Sequence, residues 1–296
     1  MTYSVVALDP DTGELGVAVQ SHWFSVGSIV PWARPGVGAV ATQANAEVSY
    51  GPRALELLEG GADAAEALSI LVTADPGATT RQVAVVDADG GVAVHTGGSC
   101  VPFAGHVVGD GFSCEANMMA SDKVWPAMAE AFSAAQGSLA SRLLEALDAA
   151  ERVGGDVRGR QSAALLVVPA EGDPWSTVVS LRVEDDPEPL RELRRLATVH
   201  EAYSLASEGE RLGEEGRYGD AGELMVRAWE LAPDNAELRF WAGLGMAQGG
   251  LIAEGAEQVR AAIAAHPPWR ELLERLPPEM APAAQQVLDA LGPAGN

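Results

Sequence analysis

The chain has 296 residues, 47% of them apolar, and carries a formal net charge of -23 at pH 7. This length and apolar content suit two globular domains, or one large one. The acidic excess argues against nucleic acid and against an anionic membrane surface as partners, because both are themselves negatively charged.

The sequence contains no recognisable targeting signal and no metal-binding motif. The N-terminus carries no charged leader followed by an apolar run, and no apolar stretch is long enough to span a bilayer, which favours a soluble, cytoplasmic protein. The two cysteines, Cys100 and Cys114, lack Cys-x-x-Cys spacing and are expected to be reduced, buried thiols. The histidines show no metal-ligand spacing, so we predict neither a metal nor another cofactor.

Two β-rich runs at the start of the chain predict a hairpin. Residues 3–8 and 15–19 flank a turn that contains Asp9 and Gly13. If Asp9 and Glu14 close this turn, directly opposite residues have numbers that sum to about 23.

That register places a hydroxyl residue beside a polar cluster. Thr2 lies across from Ser21, as Ser4 does from Val19, and opposite residues of an antiparallel pair point to the same face. The cluster contains Ser21 and His22, and His22 could assist proton transfer. The alternative for a lone histidine at a strand end is half-exposure without a role.

The position of Thr2 has a chemical consequence. Initiator Met1 is normally removed when the next side chain is small, which leaves threonine with a free α-amino group. Such an amine has a pKa near 7.7–8.0, so it can act as the base for its own hydroxyl, a known way to activate a threonine nucleophile. The alternative is that Thr2 merely begins a strand.

The following elements alternate between strands and helix pairs. A loop or crossover over 23–36 leads into a buried strand over 37–44, and 97–117 is expected to carry short strands and loops. Helical periodicity predicts helices, and alternation predicts strands. The predicted helices are 52–59, with Pro52 as the first helical residue, 62–74, 121–134 and 138–152, and the further strands are 81–87, 92–96, 163–168 and 176–183. Consecutive helix pairs between strand pairs predict helices packed on an antiparallel sheet sandwich.

The segment 155–162 is a second candidate site, where a glycine-rich turn meets a buried strand. It contains Asp156, Arg158, Gln161 and Ser162. We expect the last strand pair beside the first strand, which brings Ser162 close to Thr2, and Arg158 suits bidentate recognition of a substrate carboxylate. The alternative is a turn stabilised by its own Asp156–Arg158 hydrogen bonds.

Two amides end the buried strand at the same rim. Gln43 and Asn45 could stabilise the oxyanion that forms during acyl transfer. They could equally cap the helix that follows.

Ordered motifs occur along the region 1–183, at 2–4, 9–19, 40–44, 49–52, 81–83 and 155–165. On these motifs the chain resembles the bacterial family called domain of unknown function 1028, and more broadly the αββα fold of the N-terminal-nucleophile hydrolases. The resemblance implies a four-layer αββα sandwich and favours Thr2 as the nucleophile.

Beyond residue 183 the composition changes. A charged, proline-interrupted linker is predicted over 184–198. The chain from 199 to 296 is helical in pattern and repeats with a period of 34, which resembles tetratricopeptide repeats. The two units are 202–235 and 236–269, followed by a partial helical cap near 270–291. The matched pairs include Gly209 with Gly243, Gly216 with Gly250, Asp220 with Glu254, Ala228 with Ala262 and Pro233 with Pro267.

The family also implies a second interpretation of this C-terminal region. Family members pair their first domain with a segment sometimes labelled peptidoglycan-binding, and 184–195 resembles its start. We favour the repeats because their period is visible in the residues.

The sequence therefore predicts an α+β domain followed by an all-α helical-repeat domain. The favoured function is hydrolysis of a small amide, peptide-like or ureido compound by Thr2, with Asn45 or Ser162 at the oxyanion and Arg158 on an acidic substrate. The alternative is a non-catalytic scaffold that binds a protein or peptide through its repeats. Assembly into a homo-oligomer is compatible with both.

Overall fold

The computed structural model describes residues 2–293 and divides the chain into two compact units, Met1–Arg195 and Leu196–Asn296. The division falls inside the segment 184–198, which the sequence predicts to be a linker. Most of that segment is instead the start of a helix, Pro189–Glu214, because proline is well suited to the first position of a helix. Each unit is described by itself below.

The first unit contains two antiparallel sheets. The six-stranded sheet has the order β10-β9-β2-β1-β8-β7, and the four-stranded sheet has the order β3-β4-β5-β6. The strands are β1 (Thr2–Leu8), β2 (Leu15–Ser21), β3 (Pro31–Arg34), β4 (Gly38–Ala44), β5 (Arg81–Asp87), β6 (Val92–Thr96), β7 (Gly105–Gly109), β8 (Phe112–Asn117), β9 (Ser162–Val168) and β10 (Val179–Val183).

The predicted register of the first hairpin is confirmed. Thr2 lies opposite Ser21 and Ser4 opposite Val19. The backbone N–H of Asp9 donates to the carbonyl of Glu14 at 2.8 Å, so these two residues close the turn as expected.

Small and β-branched residues fill the space between the sheets. Val6, Val17 and Val19 of the six-stranded sheet pack with Ala39 and Val86 of the other sheet, and all five are fully buried. The small side chain of Ala39 in β4 allows the two sheets to approach closely.

Helices cover the outer face of each sheet. α1 (Tyr50–Glu59) and α2 (Ala64–Ala74) pack on the four-stranded sheet, and α3 (Val124–Ala134) and α4 (Leu139–Arg152) pack on the six-stranded sheet. A side chain at Gly16 of β2 would put its Cβ 2.7 Å from Leu143 of α4, so glycine permits this contact. The predicted α+β architecture with antiparallel sheets is confirmed.

Two boundaries differ from the sequence prediction. β3 lies inside the stretch predicted as a loop, because Pro31 and Gly36 suggested one. Proline is tolerated as the first residue of an edge strand, which is where Pro31 sits. α1 begins at Tyr50, ahead of the predicted start at Pro52. Proline is tolerated in the first helical turn, because the N–H groups of that turn have no hydrogen-bond acceptor within the helix.

Helices make up the second unit. α5 (Pro189–Glu214) begins ahead of the division and enters this unit. The helices that follow are α6 (Tyr218–Leu231), α7 (Ala236–Gln248), α8 (Ile252–Ala265), α9 (Trp269–Arg275) and α10 (Ala284–Leu291). No helix within residues 2–293 combines the length and apolar character needed to cross a membrane.

The glycines that repeat with the period of 34 occupy matching places. A Cβ at Gly209 would meet the backbone of α6 at 3.1 Å, and one at Gly243 would meet the backbone of α8 at 2.7 Å. Gly216 and Gly250 both have positive φ and follow the first helix of a pair. The repeated residues thus serve helix crossing and helix termination in both pairs.

The contact of α1 with β3 yields a stability prediction. A Cβ at Gly51 would lie 2.3 Å from the indole of Trp32, whose Nε1 is held by the carbonyl of Ile29 at 3.0 Å. Gly51→Ala should lower the free energy of unfolding by about 1–3 kcal/mol, measured by urea denaturation. The control, Gly98→Ala, meets no atom within 4 Å and should change it by less than about 0.5 kcal/mol. Equal effects of the two substitutions would contradict this packing.

Asp75 yields a prediction on acid stability. Its carboxylate accepts from Arg81 Nε at 2.9 Å, the Gly77 N–H at 2.7 Å and the Tyr50 hydroxyl at 2.9 Å. Arg81 first, then Gly77 and Tyr50, lower the pKa of Asp75 to about 2. Because the folded-state pKa lies below the unfolded value of about 3.9, this stabilisation is present above pH 4 and is lost as the pH falls through 2.

Asp75→Asn should therefore lower stability at neutral pH and flatten the loss of stability between about pH 4 and 2. Urea midpoints measured across this range check the prediction, with the exposed Asp110→Asn as control. If the urea midpoint of Asp75→Asn falls as steeply between about pH 4 and 2 as that of the wild type, the prediction is wrong.

Candidate functional site

A pocket of about 550 Å³ lies in the first unit, at the ends of strands from both sheets. β1 contributes Thr2, β4 ends into the pocket at Gln43 and Ala44, and β8 ends at Asn117. The lining residues are Thr2, Trp23, Val26, Ile29, Val30, Gln43, Ala44, Asn45, Ala46, Val48, Thr80, Ser99, Cys100, Val101, Asn117, Met118 and Arg158.

Thr2 is held on two sides. Its Oγ1 donates to Ser21 Oγ at 3.1 Å, and its carbonyl accepts from Asn117 Nδ2 at 3.3 Å. The residue is 4% exposed. Because Asn117 and Ser21 are its register partners on β8 and β2, the two neighbouring strands fix where the hydroxyl lies. Met1, whose removal the sequence predicts, lies outside the described residues.

Ser162 lies opposite Ser21 on the far side from Thr2, and it does not line the pocket. The expectation that the last strand pair lies beside the first strand is wrong: β9 pairs with β2, and Ser21 separates Ser162 from Thr2. The reason is that β2 and β8 already occupy both edges of β1. The Ser162 hydroxyl donates to the Trp23 carbonyl at 2.5 Å and accepts from the Val26 N–H at 3.1 Å, so it anchors the loop after β2.

The turn after α4 orients an arginine toward the pocket. Asp156, whose side chain is fully buried, accepts from Arg158 Nε at 3.2 Å and Nη2 at 2.9 Å, and from the Arg158 N–H at 2.9 Å. The turn is therefore stabilised by its own Asp156–Arg158 hydrogen bonds, which was the alternative to a substrate-binding role. Arg158 nevertheless also lines the pocket. Among the lining residues that the structure describes, Arg158 is the one charged side chain.

His22 and Gln161 face other partners. The His22 N–H donates to Asp156 Oδ2 at 3.1 Å, and its Nδ1 lies 3.2 Å from the Arg160 carbonyl. Gln161 Nε2 donates to Asp185 at 3.1 Å. Neither residue lines the pocket, so the structure does not bring them together with Thr2.

The side-chain amides of Gln43 and Asn45 differ in how many of their N–H hydrogens are already used in hydrogen bonds. Gln43 Nε2 donates to Gln82 Oε1 at 2.8 Å and to the Glu115 carbonyl at 3.3 Å, which uses both of its hydrogens. Asn45 Nδ2 donates to Thr80 Oγ1 at 3.3 Å, which uses one of two. The α1 N-cap is Ser49, so neither amide caps that helix.

Two lining residues have left-handed backbone although they carry side chains. Ala44 has φ 66° and Met118 has φ 57°. Such conformations are uncommon outside glycine and gather at functional sites, where the surrounding structure holds them in place. Ala44 is the last residue of β4 and follows Gln43, and Met118 follows Asn117, the last residue of β8; Gln43 and Asn117 both line the pocket.

Sequence reasoning missed the polar residues behind the pocket. Ser113, Glu115 and Asn117 alternate along β8 and are all buried. The period of two in these residues is the available signal, but the glycines of the stretch 97–117 predict short strands and loops there. Burial raises the pKa of Glu115 to about 8, an effect larger than the lowering by its hydrogen bonds with Ser4 and Ser113.

The thiols and other possible metal ligands are dispersed. Cys100 is half-buried in the pocket lining and Cys114 is fully buried, and both are free thiols. Burial raises the pKa of both thiols, which keeps them protonated. Within residues 2–293, no group of three or more His, Cys, Asp or Glu side chains could hold a metal ion.

Comparison with known proteins gives a family and a structural relative. A family model described as a family of unknown function, DUF1028, matches residues 2–193. The crystal structure of protein SPO2555 from Silicibacter pomeroyi, a DUF1028 protein, is 33% identical and superposes with a TM-score of 0.61. The match covers 66% of this chain and 84% of that one. No curated protein matches the chain. The chain therefore belongs to the DUF1028 family, whose function is unknown.

Proposed function

We propose that the first unit is an N-terminal-nucleophile amidohydrolase that cleaves a small amide, peptide-like or ureido substrate. The observation that carries the proposal is the position of Thr2. The second residue of the chain begins a central strand and lines a pocket of about 550 Å³. Removal of Met1 would leave its α-amino group next to its own hydroxyl.

The reaction then follows from the groups around Thr2. Its Oγ1 attacks the substrate carbonyl carbon while its hydroxyl proton passes to the α-amino group. The C–N bond breaks, the leaving amine takes that proton, and water hydrolyses the acyl-enzyme. Asn45 is the better oxyanion donor, because it has an N–H left to donate, whereas Gln43 has none and the Ser162 hydroxyl serves Trp23.

Arg158 indicates the charge of the substrate. A single cationic side chain lining the pocket of a strongly acidic protein favours an anionic group on the ligand, and Asp156 pre-orients the guanidinium. We therefore propose a substrate with a carboxylate near the scissile amide, such as an N-acyl or N-carbamoyl amino acid.

Removal of the nucleophile tests this proposal. Protein expressed with its native start and no N-terminal tag should lose Met1, seen by intact mass, and release amine from N-acyl or N-carbamoyl amino acids. Thr2→Ala should lower kcat/KM by more than about 10³-fold. The control Thr12→Ala, in the exposed hairpin turn, should retain the rate. Retention of Met1, or turnover by Thr2→Ala, would rule out this mechanism.

A second candidate function, peptide binding, is favoured by a cavity in the helical unit. This cavity measures about 560 Å³ and has an apolar floor that includes Met225, Trp241 and Leu244. Its described lining contains carboxylates and no lysine or arginine. The carboxylates are Glu210, Glu214 and Glu279. We propose that tetratricopeptide-like repeats here bind a peptide segment with apolar and basic side chains.

A short peptide of alternating leucine and lysine is the probe for the second candidate. The double substitution Glu210→Gln with Glu214→Gln should weaken its binding about threefold to tenfold at low salt, measured by calorimetry. Glu223→Gln, an exposed carboxylate outside the cavity, should leave binding unchanged. Binding that responds equally to both changes, or not at all, would contradict recognition by this cavity.

A further inference from the structure

A buried hydrogen-bond network lies between the two sheets, directly behind Thr2. Gln82 of β5 is at its centre and is fully buried. Gln82 Nε2 lies 3.1 Å from the Gly105 carbonyl and 3.0 Å from the Ala116 carbonyl. Because backbone carbonyls can only accept, these two contacts fix which end of the Gln82 amide is nitrogen.

The direction of the next hydrogen bonds follows from that end. Gln82 Oε1 accepts from Gln43 Nε2 at 2.8 Å and from Asn117 Nδ2 at 2.9 Å. Gln43 must therefore turn its Oε1 toward Ser4, whose hydroxyl lies 2.8 Å away. The Ser4 hydroxyl donates to that oxygen, since an amide oxygen has no hydrogen of its own.

Ser4 has a second oxygen neighbour and no second hydrogen. Its Oγ lies 2.5 Å from Glu115 Oε1, while Ser113 Oγ lies 3.0 Å from Glu115 Oε2. If Glu115 were ionised, two buried acceptors would compete for one hydroxyl hydrogen. If Glu115 is protonated, it donates to Ser4 and Ser4 donates to Gln43, so each of the two Ser4 contacts holds one hydrogen.

We propose that Glu115 is a neutral carboxylic acid whose proton completes this network at Ser4, which makes it a positioning residue for the Thr2 end of the pocket. The positioning role rests on the proposed function of Thr2. The protonation state does not.

The network reaches Thr2 through Asn117. Asn117 Nδ2 donates to Gln82 and to the Thr2 carbonyl, which uses both of its hydrogens. The atom that remains to accept is Asn117 Oδ1. The floor of the pocket beside Thr2 therefore presents an acceptor, which suits the α-ammonium of a trimmed Thr2 or an N–H of a bound amide.

The surroundings of Glu115 contain few other titratable groups. His106 of β7 is its register partner, and Cys114 is its neighbour on β8. β1, β4 and β5 contribute Ser4, Gln43 and Gln82, which are uncharged. Burial lowers the pKa of His106, which favours its neutral form, and no cation is bonded to Glu115 in the part of the chain described.

Glu115 should make stability depend on pH in a defined direction. The folded-state pKa of about 8 lies above the unfolded value of about 4.3, so the folded state holds the proton more tightly. Its contribution is complete below about pH 4.3 and is lost as the pH rises through 8.

Substitution by glutamine separates the two protonation states. Glu115→Gln carries an amide that can donate to Ser4 and accept from Ser113, as the neutral acid does. The unfolding equilibrium constant of the wild type, divided by that of Glu115→Gln, should rise by at least about tenfold between pH 5.5 and 8.5, measured by urea denaturation. His106 is present in both proteins, so its titration cancels. Glu115→Ala should be less stable than Glu115→Gln at both pH values.

A spectroscopic signature tests the orientation of the amides. The side-chain NH₂ signals of Gln43, Gln82 and Asn117 in ¹⁵N NMR should shift with pH near 8 in the wild type and stay constant in Glu115→Gln. The same pH dependence of the unfolding constant and of the NH₂ signals in both proteins would contradict the proposal that Glu115 is neutral. A Glu115→Gln variant as unstable as Glu115→Ala would contradict it as well. Neither readout needs turnover, so a failure to cleave amides would refute the proposed function alone.

Discussion

The position of β1 between β2 and β8 is the constraint on which the first unit depends. Both edges of β1 are paired and both of its faces are covered, so the second residue of the chain is held at the end of a central strand. A chain terminus is usually frayed unless a sheet ties it down. Here Ser21 and Asn117, one on each neighbouring strand, bond to Thr2 directly.

Burying polar groups between two sheets adds a second constraint. An unpaired amide or carboxyl in this setting costs several kcal/mol, so Ser4, Gln43, Gln82, Glu115 and Asn117 must satisfy one another. An apolar core would be easier to build at this depth. The network instead orients the groups that border the pocket, which is a reason for polar residues at this end of the space between the sheets. Val6 and Val17 fill the neighbouring, apolar part of that space.

Charge separates the two candidate binding regions. The pocket beside Thr2 presents one arginine, held by Asp156, whereas the cavity of the helical unit presents carboxylates. In a chain of net charge -23, the buried Asp156 orients Arg158, which is the one charged side chain in the described lining of that pocket. Under the two proposed functions, these regions bind ligands of opposite charge.

Local patterns were sufficient to predict much of this protein. The turn residues and the period of two determined the first hairpin, its register and the pairing of Thr2 with Ser21. The helix pairs also follow from local periodicity, because 3.6-residue and 2-residue periods are properties of neighbouring residues. The repeated glycines of the second unit follow from the 34-residue period of that part of the sequence. Asp156 with Arg158 was recognised for the same reason, since the two lie in one turn.

Tertiary structure alone decided which strands are neighbours and which polar groups meet. The sequence does not show that β8 occupies the second edge of β1, so β9 was expected there and Ser162 was placed too near Thr2. Ser4, Gln43, Gln82 and Glu115 lie far apart in the chain and become one network only when the sheets stack. Their directions of hydrogen bonding depend on backbone carbonyls of other strands, and no local pattern encodes such long-range contacts.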